Sequence, residues 1–243
     1  MSFNFSPKIS SLDSLIYYLD ASNPRSYISG STTWYDISRT GVNGTLVNGP
    51  TFSSENGGSI VFDGIDDYIG LSQITANQTI GNYTISLWIS FTNTITPSNV
   101  INFMLMEAQN TLLGGVDNYI SLLGNTTVPG TNGRILFQTF NPLSVLYSTT
   151  NTWIGGQWYN IVGTYDISTS RQSIYVNGIL EGSTTIANCY FNTNTYFNLG
   201  TYTVPPKQWF FNGKMANFMV YKKTLSSDEI LQNYNTIKPK ITK

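Results

Sequence analysis

The chain has 243 residues, of which 10% are charged and 14% aromatic, and 12 basic against 13 acidic side chains leave a formal net charge of −1 with no histidine. That length fits one large all-β domain or two small ones. The near-neutral balance excludes the basic footprint that holds a phosphate backbone, and the missing histidine excludes Ser-His-Asp and Cys-His nucleophiles and every His-ligated metal site.

The amino-terminal stretch MSFNFSPKISSLDSLIYYLDASN has no basic segment followed by an apolar run of signal-peptide length. No stretch approaches the roughly 18 apolar residues of a membrane span, so neither an export signal nor membrane insertion is expected. Phe3 and Phe5 alternate ahead of Pro7, a pattern that fits an extended arm laid on a neighbouring copy or a first edge strand. Residues 1–14 are therefore set apart from the body that follows. LIYYLD (15–20), SIVFD (59–63) and DYIGL (67–71) read as short strands. In YTISLWISF, Tyr83, Ile85, Leu87, Ile89 and Phe91 share one face and Thr84, Ser86, Trp88 and Ser90 the other, which predicts a strand buried on one side.

Further apolar runs follow at VINFMLM (100–106), NYISLLG (118–124), RILFQ (134–138) and QWYNIVGTYD. After a turn over Asp166 to Ser170, RQSIYVNGILEGS places Asn177-Gly178 between two β-rich runs, the signature of a type I′ hairpin. The lone Cys189 forbids an internal disulfide. FNLG (197–200) and GKMANFMVYKK (213–223) complete about a dozen strands, spaced as in a sandwich. In TLSSDEILQNYN, Ser226 and Glu229 have capping-box spacing and Leu225 and Ile230 the staple positions, so a helix starts here with Ile230, Leu231 and Tyr234 facing inward. No linker or shift in composition marks a boundary. One domain is expected over 15–237, with a tail at 238–243.

Five segments taken in order resemble the laminin-G-like, or concanavalin A-like, jelly roll. They are LIYYLDASN with WYDISRTGVNGTL, SIVFDGIDDYIGL, YTISLWIS, QWYNIVGTYD with SIYVNGILEGS, and FNLGTY with FFNGKMANFMVYKKTLSSDEILQNYN. The resemblance spans about residues 15–235 and implies an all-β, two-sheet antiparallel jelly-roll sandwich with one short C-terminal helix. It implies less about activity, because the same sandwich serves lectins, adhesion modules, glycosidases and passive structural proteins.

Three carboxylates, Asp63, Asp66 and Asp67, stand together between two apolar runs. In the family pattern this is a strand-to-strand turn, with Asp63-Gly64 making the reversal and Asp66 and Asp67 accepting loop amides. A Ca²⁺ site is the rival reading, but that ion takes six to eight oxygens and the stretch supplies only part of them. Laminin-G domains that bind calcium at the rim carry an acidic ligand in the loop after the strand matching RILFQ; here that loop reads TFNPLS, with Asn141 and no carboxylate. No cofactor is expected. Jelly-roll glycosidases place their acids in a Glu-x-Asp-x-x-Glu run, which is absent, and Glu107, Asp117 and Glu181 read as isolated strand-end charges, so no enzyme is expected.

Binding remains. Sugar sites on β-sandwiches stack exposed aromatic rings on pyranose faces, with Asn, Asp and Gln nearby for the hydroxyls. The loop-placed candidates are Trp34 and Tyr35, Tyr147 with Asn151 and Trp153, and Trp209. Trp153, followed by Gly155-Gly156, is the ring expected to be exposed, Trp34 is expected to cap an open end of the sandwich, and Trp88 and Trp158 are expected in the core. Modules of this family work outside cells, and a chain without an export signal reaches that setting on a particle released by lysis. Eight lysines against four arginines, with abundant Asn, Ile and Tyr, suit an AT-rich genome. The expectation is a virion structural or fibre-associated protein of bacteriophage type, binding itself, other virion proteins or surface glycans. A free lectin or carbohydrate-binding module is the alternative, and a glycan-degrading enzyme comes third.

Overall fold

The computed structural model describes residues 8–72, 80–99, 102–110, 115–122, 130–140, 143–187, 189, 195–203 and 207–242. Among them are sixteen strands: β1 (Leu15–Asp20), β2 (Thr33–Trp34), β3 (Gly44–Val47), β4 (Thr51–Ser53), β5 (Ser59–Asp63), β6 (Tyr68–Leu71), β7 (Tyr83–Phe91), β8 (Phe103–Asn110), β9 (Gly115–Leu122), β10 (Ile135–Phe140), β11 (Leu143–Tyr147), β12 (Trp158–Asp166), β13 (Arg171–Val176), β14 (Ile179–Thr185), β15 (Thr195–Leu199) and β16 (Asn212–Tyr221). One α-helix is present among the described residues, α1 (Ser227–Ile241), after β16.

The strands pair into two eight-stranded antiparallel sheets. The first runs β14-β13-β12-β7-β16-β5-β4, with β1 pairing the far half of β16; the second runs β11-β10-β9-β8-β15-β6-β3-β2. This is the expected jelly-roll sandwich with one C-terminal helix. The hairpin between β13 and β14 turns at Asn177 (φ 53°) and Gly178 (φ 80°), the two positive angles that a type I′ turn requires.

The main core lies between the sheets and joins aliphatic side chains to a large set of aromatic rings. Phe91 meets Phe211, Trp153 and Phe103 at ring separations of 5.7, 5.9 and 6.3 Å, and Tyr17 meets Phe197 edge-on at 5.2 Å. Such pairs contribute about 0.5–1.5 kcal/mol each beyond the area they bury.

The strand β7 departs from expectation. It is buried at all nine positions rather than on one side, because α1 lies across the outer face of the first sheet. Trp88 stacks on Tyr234 at 5.4 Å and 5°, while Ile230, Ile237 and Ile241 pack against Val162, Met219 and Tyr221. The helix starts as expected: Ser226 Oγ accepts the Glu229 amide at 3.2 Å and the Glu229 carboxylate accepts the Ser226 amide at 2.9 Å. One detail is corrected: Leu231 is 43% exposed, since inward positions fall at 230, 233, 234 and 237. The helix runs on to Ile241, which is buried in the same cluster.

Residues 8–11 lie against this helix within the same chain. Lys8 O accepts Gln232 Nε2 at 2.8 Å, Asn233 Oδ1 accepts the Ser10 amide at 2.7 Å, and Ile9 packs into the helix cluster. Phe3, Phe5 and Pro7 of the expected arm fall outside the described residues. No described helix is long and apolar enough to cross a membrane.

Candidate functional site

With α1 on the first sheet, the outer face of the second carries two of the sequence candidates, Tyr147 and Trp209. Inward positions of β15 are Phe197 and Leu199, so Asn198 faces out; on β6, Ile69 and Leu71 point in, so Tyr68 and Gly70 face out. On β8 a bulge between Met104 and Met106 shifts the register and resets the alternation. Before it Phe103 and Leu105 point in and Met104 out; after it Met106 and Ala108 point in and Glu107 out.

A small apolar cluster sits on this face. Met104 and Leu136 are buried beneath Tyr147, Tyr202 and Trp209. Tyr202 and Trp209 stack at 4.9 Å and 27°. They belong to one hairpin, whose neck is closed by paired backbone bonds between Tyr202 and Gln208 at 3.0 and 3.1 Å and pinned to β8 by the Met104 amide donating to Trp209 O at 2.7 Å. Trp209 has φ +58°, a left-handed conformation that is rare for a bulky residue and costs on the order of 1–3 kcal/mol. The surrounding bonds hold the half-buried ring in that pose.

Beside the aromatic pair lies a polar group. Glu107 is fully buried, and one of its oxygens accepts the Thr203 amide at 2.9 Å and the Thr203 hydroxyl at 2.7 Å. Burial pushes its carboxyl above the ordinary range, against the Thr203 bonds and the charge of Lys207, which pull it down. Lys207 Nζ donates to the Tyr68 hydroxyl at 2.7 Å and stands 3.9 Å from the centre of that ring. Burial, and then the charge of Glu107, also raise Tyr196 and Tyr202. Glu107 is thus no isolated strand-end charge. Nor is Glu181, which accepts the amides of Thr149 and Thr150 at 2.9 and 3.0 Å and anchors that loop.

Two of the sequence candidates, Tyr147 and Trp209, are therefore brought together. Trp153 is corrected: it is fully buried, its Nε1 donates to Gly133 O at 2.6 Å, and its backbone exchanges two bonds with Ile95. A Cβ at Gly155 would meet the backbone of residues 92–94 at 2.8–2.9 Å, and the Gly156 amide bonds Phe91 O at 2.8 Å, so the pair allows a close chain crossing that drives the indole inward. Trp34 is also fully buried; it lies in β2 rather than in a loop and belongs to the main core. Asn151 stands in the loop anchored by Glu181, its Oδ1 taken by Thr152 Oγ1 at 3.3 Å. Tyr35 is 38% exposed, and Trp88 and Trp158 are buried as expected. Sequence reasoning missed Tyr202, Glu107, Asn198 and the Tyr68–Lys207 pair; the one available signal was a carboxylate closing an apolar run, FMLME.

At the acidic turn, carboxylate oxygens of Asp63, Asp66 and Asp67 lie within 4.8 Å of one another. Asp67 Oδ2 accepts the Asp63 amide at 3.0 Å, and Asp63 Oδ1 accepts the amides of Ile65 at 2.7 Å and Asp66 at 3.4 Å, around Gly64 at φ +78°. Asp66 takes part through its backbone carbonyl, which accepts Asn48 Nδ2 at 2.9 Å. Burial raises the Asp67 carboxyl, opposed by the Asp63 amide and aided by the charges of Asp63 and Asp66. Asn141 of the neighbouring-loop comparison lies outside the described residues, as does the side chain of Asp117.

The family model of the concanavalin A-like lectin/glucanases superfamily matches residues 63–231. The chain belongs to that superfamily. Among solved structures, this lectin/glucanase fold is similar to the receptor-binding domain of botulinum neurotoxin type G, with TM-score 0.62 and 14% identity over 91% of this chain and 51% of that one. It is similar to the binding domain of botulinum neurotoxin DC in complex with SialylT, with TM-score 0.66 and 14% identity over 93% and 52%. It is also similar to domain 4 of AbnA, an extracellular arabinanase from Geobacillus stearothermophilus in complex with arabinotriose, with TM-score 0.60 and 18% identity over 90% and 98%. The chain spans about half the length of the toxin domains. No curated protein matches it at the level of sequence.

Proposed function

We propose that the chain is a non-catalytic glycan-binding module that uses the outer face of its second sheet, working without a cofactor and carried in many copies on a virus particle. The observation behind this reading is the Tyr202–Trp209 stack, seated on Met104 and Leu136 and set beside buried polar groups. An apolar ring face edged by hydrogen-bonding groups is what a sugar presents in reverse. Tyr147 extends the platform. The absence of histidine and the use of Glu107 to anchor Thr203 favour binding over chemistry. A sugar complex of one fold relative, with arabinotriose, makes neutral oligosaccharides the first ligands to try.

Carriage on a particle is supported by the net charge of −1, which leaves little repulsion between packed copies. A glycan array with wild type and Trp209→Ala tests the binding reading: bound glycans that weaken at least tenfold in the variant are expected. Absence of any glycan signal, or equal signals from both proteins, overturns it. Sedimentation with intact particles separates a virion component from a free lectin, which would stay in the supernatant.

A further inference from the structure

At one lateral edge the two sheets are laced together: Ser144 Oγ of β11 donates to Gln172 Oε1 of β13 at 3.0 Å, and Glu181 of β14 holds the loop after β11. The other edge is open. There the second sheet ends in β3 and β2 and the first in β4, and a cleft of about 460 Å³ lies between them. That volume falls within the roughly 300–1,000 Å³ of small-molecule sites. Tyr27, Leu46 and Phe52 make its apolar wall, and the rings of Tyr27 and Phe52 stack at 5.0 Å and 29°. Tyr27 and Leu46 are buried, whereas Phe52 is half-buried and keeps part of its surface accessible.

The rest of the lining used here is polar and exposed: Ser29, Asn48 and Thr51. Asn48 Nδ2 donates to Asp66 O at 2.9 Å, which holds this residue at φ 68°. Its Oδ1 and the hydroxyls of Ser29 and Thr51 have no partner among the described residues. The opposite wall is fixed as well, because the Tyr27 hydroxyl donates to Ser31 O at 2.9 Å and the Leu46 amide to Thr32 O at 2.8 Å. A site shaped in advance spends little binding energy on ordering its loops. No charged side chain is among the described residues that line it.

We propose that this edge cleft is a second glycan site, taking a neutral sugar residue with its apolar face towards Phe52 and its hydroxyls towards Ser29, Asn48 and Thr51. A sugar ring joins a C–H face to a girdle of groups that donate and accept at once, which matches an aromatic wall rimmed by hydroxyls and an amide oxygen. An acidic ligand would lose its hydration here with no cation to offset the loss. The cleft is separate from the Tyr202–Trp209 stack and does not depend on it: β8, beneath that stack, and β3 are three strand positions apart in the second sheet, about 14 Å.

The test titrates the full chain with arabinotriose, lactose and maltotriose, and with benzyl alcohol as an uncharged non-sugar, reading backbone amide shifts by NMR. Wild type is compared with Asn48→Gly, Thr51→Trp and Trp209→Ala. Glycine adopts φ 68° without strain and removes the amide, while tryptophan at an exposed position of edge strand β4 fills the cleft from its rim. The expected result is sugar-induced shifts at Gly30, Ser31, Gly49 and Thr51, with affinity at least tenfold weaker in Asn48→Gly and Thr51→Trp and unchanged at these amides in Trp209→Ala. Should one cleft variant fail to fold, the other decides. Shifts confined to the surroundings of Tyr202 and Trp209, lost in Trp209→Ala alone, overturn this inference and leave the platform reading standing. Shifts confined to the cleft do the reverse. Benzyl alcohol moving the cleft amides as strongly as the sugars would make it a general apolar pocket and also overturn the inference, as would no response to any of the three sugars.

Discussion

Replacing Glu229 by Gln tests the physical account of how the helix is held on the back of the sandwich. Its carboxylate accepts the Ser226 amide at 2.9 Å and the Ser11 hydroxyl at 2.7 Å, and pairs with Lys223 Nζ at 2.6 Å. Burial works to raise this carboxyl, but Lys223, Ser11 and the Ser226 amide outweigh it and hold it down to about 2, against 4.5 for a free glutamate. That difference corresponds to roughly 3 kcal/mol if fully expressed. The side chain is 24% exposed, so solvent screening brings the expected loss to about 2 kcal/mol. For a chain of this size that is a fall in melting temperature of ~4–8 °C at pH 7. A carboxyl lowered by folding stabilises the protein above its unfolded pKa and ceases to do so as pH falls through its folded value. The gap between Glu229→Gln and wild type should therefore be full at pH 6–7 and shrink towards zero near pH 2. Urea melts at a series of pH values measure it, and a gap that is absent at neutral pH, or constant down to pH 2, refutes the reasoning.

At the acidic turn, where backbone amides already occupy Asp63 and Asp67, neither added Ca²⁺ nor a chelator should move the melting temperature, and Asp66→Asn should change stability by less than about 0.5 kcal/mol. A chelator that lowers the wild-type transition by several degrees, with the effect gone in Asp66→Asn and Asp67→Asn, would instead establish a cation site. In Gly163→Ala the new methyl would lie 2.8 Å from the Phe137 ring across the main core, so overpacking should cost about 1–3 kcal/mol in a denaturant melt while glycan binding on the outer face of the second sheet is retained; a neutral effect would mean the core there is loosely packed.

Features set by neighbours in the chain were legible in advance. The Ser226–Glu229 box and the Asn177-Gly178 turn depend on spacing within a few residues, and both stand as expected. Burial imposed from afar was not. Nothing local to YTISLWISF announces that a helix some 140 residues later covers Trp88. The site suffered from the same gap. The bulge at Met104–Met106 exchanges the faces of β8, so plain alternation would put Glu107 in line with Phe103 and Leu105 inside the sandwich. Trp153 was misjudged because a Gly-Gly pair looks the same in sequence whether it loosens a loop or lets two backbones touch. Strands β2, β3 and β4, of two to four residues, are too short to show a period, and β11 reads as loop because it lies at a sheet edge with Leu143 and Val145 exposed.

The placement of α1 and of residues 8–11 also sets an orientation. Both lie behind the first sheet, whereas the Tyr202–Trp209 stack lies in front of the second, with the thickness of the sandwich between them. A tether joined through either of these segments would point the aromatic face away from its support without any further device. Many copies fixed in that way to one support would aim in parallel, and a row of contacts each too weak to persist alone would add up to firm attachment, since every further contact is made at the high local concentration that the first one creates.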